Sequence, residues 1–148
     1  MYEDSLFVSM EDTMDTQYAS SSFFISFINR IEGWKTKCKN LHLCAPQTVG
    51  DSIHTRLDEF LEILCDFQDS IAEDYQATLG DMSPNSMVGI PCECINAMEF
   101  INDVLIKTKL FYKSIPNDID YVGIKSETES FIHNIKKYIY LFKKCSVR

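Results

Sequence analysis

Five side chains able to bind a metal or move a proton recur along one stretch of the chain: His54, Asp58, Glu62, Asp69 and Glu73. On a helix turning about 100° per residue they fall within an arc of about 100°. They form one polar stripe. Ile53, Leu57, Phe60, Leu64, Phe67 and Ile71 form the apolar stripe of the same stretch, centred about 150° away by the same arithmetic. The ligand-capable groups therefore point away from their own helix's core. They are read either as a solvated acidic face or as one half of a site completed by another subunit. Carboxylates with an imidazole are donors for iron or another divalent metal. A diiron centre inside one bundle would need Glu-x-x-His pairs, and none of His42, His54 and His133 follows a Glu by three. An intrachain diiron site is not expected.

Other reactive residues are weaker candidates. Cys92-x-Cys94 with Glu93 is one dithiol pair without a second at a zinc-like distance, and is read as packing at a helix start. His42 and Cys44 lie in a loop without an orienting third group, which argues against a Cys-His nucleophile. His133 is read as a satisfied core or boundary histidine. Lys136, Lys137, Lys143 and Lys144 are read as a solvated face near a helix C-terminus, where cations oppose the dipole. The five glycines stand singly, so no phosphate-binding loop is present.

Four helices are predicted to position these groups. The first, from near Ser20 to near Asn40, carries the stripe Phe24, Phe27, Ile28, Ile31, Trp34 and Cys38. Pro46 and Gly50 punctuate the connection, and Asp51 is the expected cap of the second helix, Ser52 to Leu79, which Gly80 terminates. Gly80 to Ile90 is rich in breakers and reads as a loop. Pro91 then starts a third helix with Ile95, Met98, Ile101, Val104, Leu105 and Phe111 inward, closed by Ile115-Pro116-Asn117-Asp118. The fourth, Tyr121 to Cys145, turns Ile124, Phe131, Ile132, Ile135, Ile139 and Phe142 to the core.

Such stripes predict an all-α fold, a four-helix bundle over residues 17–148, behind an acidic, flexible segment 1–16. The connectivity stays open. A second helix of about 42 Å and the twelve residues from Gly80 to Pro91, reaching about 40 Å, make a long crossover barely possible, and leave up-down-up-down available. Composition fits one globular domain, with 45% hydrophobic and 12% aromatic residues. The start lacks the cationic, apolar pattern of a secretory signal, and six cysteines in that setting read as reduced thiols in a cytoplasmic protein. No apolar run approaches a membrane span. The net charge is -8, with the acidic excess in the first hundred residues, so nucleic acid is not an expected partner.

Several of these residues together resemble the first two helices of Dps-like miniferritins of the ferritin-like superfamily, over roughly residues 24 to 80. They are Gly33-Trp34, then His42, His54-x3-Asp58, and Asp69-x3-Glu73 before Leu79-Gly80. Trp34-Lys-Thr-Lys37 with His42, and Tyr138-Ile-Tyr-Leu-Phe-Lys143, are similar to ferritin-like proteins of phages and large viruses. The resemblance implies a ferritin-like bundle and a homo-oligomer, a dodecamer in that family. It also implies iron held between subunits by His42, His54, Asp58, Asp69 and Glu73, with oxidation and storage of the metal. In the family a histidine precedes the tryptophan; this chain has Gly33, with Glu32 as the candidate substitute. The competing expectation is a non-enzymatic helical bundle, viral or phage-borne, acting as a structural or protein-interaction module.

Overall fold

A computed structural model of the protein describes the backbone of residues 2–46 and 52–146 and the side chains of 22–46 and 52–145. Four helices carry it: α1 (Tyr2–Cys44), α2 (Ile53–Leu79), α3 (Ala97–Ser114) and α4 (Val122–Ser146), with a short 3-10 turn at Ile119–Tyr121 before α4. No strand occurs among the described residues. None of the helices is long and apolar enough to cross a membrane, again among the described residues.

The helical stripes pack as one core. Phe24, Ile28, Ile31, Leu57, Phe60, Leu64, Ile71, Phe100, Ile101, Val104 and Ile135 have no exposed surface. Stacked and edge-on rings run through it. Phe27 lies 3.7 Å from Phe111, and Phe67 lies 3.9 Å from Phe131, both face to face. Each such pair adds about 0.5–1.5 kcal/mol beyond the area it buries.

The ring contacts also fix direction. Phe24 of α1 meets Tyr75 late in α2, and the Cys38 thiol donates to the Leu57 carbonyl early in α2, so these helices are antiparallel. Phe100 meets Phe60, while Phe111 meets Phe27 at the opposite end, where Phe27 also meets Phe67. Helix α3 therefore runs parallel to α2. Phe131 meets Phe67 and Tyr138 meets Phe60, so α4 runs back against both. The bundle is up-down-down-up with one long crossover, the connectivity of ferritin-like folds, and not up-down-up-down.

The crossover is longer than the sequence suggested because Pro91 does not restart a helix. Extended chain continues to Asn96, whose side chain caps α3 by accepting from the Glu99 amide at 2.8 Å. Seventeen residues, Gly80 to Asn96, span about 56 Å when extended, while the distance back from the level of Leu79 to that of Phe60 is about 28 Å. One consequence is that Ile95, expected in the core, stands 81% exposed on the strap, while Phe100 takes the core place instead.

The strap is held against α1. Asn29 receives the Val88 amide on its side-chain oxygen at 2.9 Å and the Ile90 amide on its backbone carbonyl at 2.9 Å, and donates to the Ser86 carbonyl at 2.8 Å. At Gly33 the chains come closer still: a Cβ there would lie 1.6 Å from the Ile90 carbonyl oxygen. Gly80 leaves α2 at φ 113°, a conformation that side chains disfavour.

Other boundaries shift as well. Ser52, not Asp51, caps α2, accepting from the Thr55 amide, and Asp51 lies outside the described residues. Helix α1 reaches back to Tyr2, beyond the expected start at Ser20, and forward to Cys44, beyond Asn40. The side chains of the acidic segment 1–16 lie outside the described residues.

Gly33→Ala should destabilise the fold by roughly 1–3 kcal/mol or more, since backbone rather than a flexible side chain blocks the added methyl. Denaturant unfolding of the two proteins measures it.

Candidate functional site

The extension of α1 to Cys44 puts His42 in its last turn, opposite the first turn of α2. There His42 and His54 stack, ring centroids 3.8 Å apart. Each ring bonds the other's backbone: His42 Nδ1 lies 2.7 Å from the His54 carbonyl oxygen, and His54 Nδ1 lies 2.7 Å from that of His42. A carbonyl only accepts, so both Nδ1 atoms carry a proton, and in the neutral form of each ring the lone pair sits on Nε2. Histidines that bind metals commonly have their other nitrogen anchored in this way. Asp58, one turn along α2, places a carboxylate oxygen 3.9 Å from His42 Nε2, with its side chain 60% exposed.

Helix α1 thus supplies a histidine, although not beside Trp34. At Gly33 the passing strap leaves no room for any side chain. Glu32 does not take that role either. Its carboxylate accepts from Gln68 Nε2 at 2.8 Å and Lys35 Nζ at 3.2 Å, while Lys35 also donates to Gln68 Oε1 at 2.9 Å. The Gln68 bond first, with the Lys35 bond and charge, holds the Glu32 carboxyl below its usual range against the opposing effect of burial. It is spent on joining α1 to α2.

Asp58, Glu62, Asp69 and Glu73 are all exposed on the outer face of α2. Asp69 lies about 16 Å along the helix from Asp58. One ion cannot bridge them within a chain, so the five candidate ligands divide into two sets: His42, His54 and Asp58 near one end, Asp69 and Glu73 towards the other.

Three further residues converge where sequence spacing gave a weaker signal. Cys92, Cys94 and Asp103 bring a sulfur, a sulfur and a carboxylate oxygen all within 4.8 Å of one another. The two cysteines lie on the strap, not at a helix start, and Asp103 is on α3. Burial, more than the bond to Cys92, pushes the Cys94 thiol up to about 12. Cys44 is exposed on the last turn of α1, and His42 Nδ1 is engaged by His54, so no Cys-His nucleophile forms. His133 is exposed on α4, not at the core boundary, and the four lysines beyond it are exposed as expected.

At the other end of the α2 row, Glu127 of α4 faces Asp74. Burial first, then the Asp74 charge and hydrogen bond and the more distant Glu73, push the Glu127 carboxyl up to about 7. No family model matches the chain, and no curated protein or solved structure is significantly similar to it.

Because the Glu127 carboxyl titrates higher in the fold than the ordinary 4.5, its stabilising contribution is complete below that value. It is lost as pH rises through about 7. Glu127→Gln should flatten this part of the stability profile, measured by unfolding midpoints between about pH 5 and pH 8.

Proposed function

We propose that the protein binds iron, or another divalent metal, at a site shared between two copies of the chain, in the manner of Dps-like ferritin-family proteins. The supporting observation is the stacked His42–His54 pair, with both Nδ1 atoms anchored and Asp58 beside it. It supplies two nitrogens and a carboxylate at one end of an outward-facing row. That set suits a borderline cation but is short of donors for redox chemistry.

The row itself supplies the rest by symmetry. His54 and Glu73 stand equally far from the Ile63–Leu64 midpoint of α2, and so do Asp58 and Asp69. A two-fold axis there, with the α2 helices of two copies antiparallel, sets His54 opposite the second copy's Glu73 and Asp58 opposite its Asp69. An isologous contact makes two such sites at once. With iron bound, the metal supplies the redox chemistry of oxidation by peroxide or oxygen. The chain's own part is to hold the ion and keep the imidazoles in one tautomer. Without a cation the facing carboxylates repel, so metal binding and association strengthen each other. A dodecameric cytoplasmic shell that stores the oxidised metal extends this reading.

The test is complementation between subunits. His42→Ala with His54→Ala abolishes iron binding at the shared site, and so does Asp69→Ala with Glu73→Ala. Co-refolding the two variants in equal amounts restores about a quarter of the wild-type sites, because half the dimers are mixed and each mixed dimer keeps one intact site. Iron titration with light scattering reads both occupancy and assembly. A metal-free monomer would favour the non-enzymatic, protein-interaction reading.

A further inference from the structure

Residues 80–96 hold no helix, yet they carry two of the six cysteines. Cys94 is 8% exposed and Cys92 is half-buried, and both reach the same place as Asp103 from the second turn of α3. The three donor atoms lie within 4.8 Å of one another. A tetrahedral zinc with sulfur at about 2.3 Å and oxygen at about 2.0–2.2 Å requires donors about 3.6–3.8 Å apart. The existing arrangement needs to close by only about 1 Å to match this.

The surroundings fit a bound cation with an open position. The donors line a cavity of about 190 Å³ together with Trp34, Arg30 and Lys107. Lys107 already holds Asp103 at 2.9 Å, orienting the carboxylate. Two thiolates and a carboxylate carry three negative charges against a divalent ion. Arg30 and Lys107 also line the cavity but are matched by Glu93 and Glu99, so the occupied site keeps one net negative charge, and a water completes the fourth position.

We propose that Cys92, Cys94 and Asp103 form a second metal site, specific for a thiolate-preferring divalent cation of the zinc class, that fastens the crossover strap to α3. Binding displaces one proton from each thiol to solvent and forms two metal–sulfur bonds and one metal–oxygen bond, with no change of oxidation state. Soft sulfur donors separate this site from the nitrogen and oxygen donors on α2. Its occupancy does not depend on a second copy of the chain. The ion ties Cys92 and Cys94 to α3 in the native fold, so it stabilises the folded chain by linkage.

Titrating the reduced, metal-free protein with Co²⁺ and then Zn²⁺ tests it. The expected result is one Co²⁺ per chain with a thiolate-to-metal charge-transfer band, displaced by Zn²⁺, together with a raised melting temperature. The band is lost in Cys92→Ser, and Co²⁺ affinity falls about tenfold or more in Asp103→Asn. It survives in the His42→Ala, His54→Ala double variant, which separates this site from the proposed one on α2. Cys94→Ser removes a buried group, so the half-buried Cys92 carries the test, with helical circular dichroism confirming that each variant is folded. A wild-type protein without the band, a band that persists in folded Cys92→Ser, or Cys92 and Cys94 pairing as a disulfide with no metal uptake after reduction would each overturn the proposal.

Discussion

Where the crossover passes over α1, the Ile90 carbonyl comes so near Gly33 that a methyl group would stand 1.6 Å from it, and Asn29 takes up the strap's amides one turn earlier. Much follows from this contact. Amides that leave a helix must find partners or water, and Asn29 gives those of Val88 and Ile90 a route along the bundle. That route lets α3 begin at the same end as α2. The aromatic layer of Phe60, Phe100 and Phe131 near one end, and of Phe27, Phe67 and Phe111 near the other, depends on the parallel start.

The same passage limits which side chains α1 can present. A side chain at position 33 would collide with the strap, and Glu32 is bound into the Gln68–Lys35 cluster between α1 and α2. What α1 offers is His42, at its last turn, locked against His54 by two reciprocal bonds. The carboxylates of α2 then remain outside, where water solvates their charge.

Much of the bundle was legible in the residues because the apolar spacing on the first, second and fourth helices is regular: Phe24, Leu57, Ile71, Ile135 and Phe142 are all buried where periodicity put them. The third helix was misplaced for a physical reason. Pro91 is a good first residue of a helix, but the stronger signal was Asn96, a side-chain acceptor three residues before Glu99. With the helix starting at Ala97, Ile95 stays on the strap and outside the core. Spacing along the chain also placed the donors His54, Asp58, Asp69 and Glu73 on one face, since they share a helix. It could not join His42 to His54, because that contact depends on about one extra turn at the end of α1. Nor could it bring Asp103 to Cys92 and Cys94, which meet only after the strap has folded back.

The passage of the strap across α1 is therefore the feature on which the connectivity rests, and amide hydrogen exchange reads it directly. The amides of Val88 and Ile90, bonded to Asn29, should exchange as slowly as those of the α1 and α2 cores. Exchange of these two amides at the rate of unstructured chain, with the helices still protected, would contradict it.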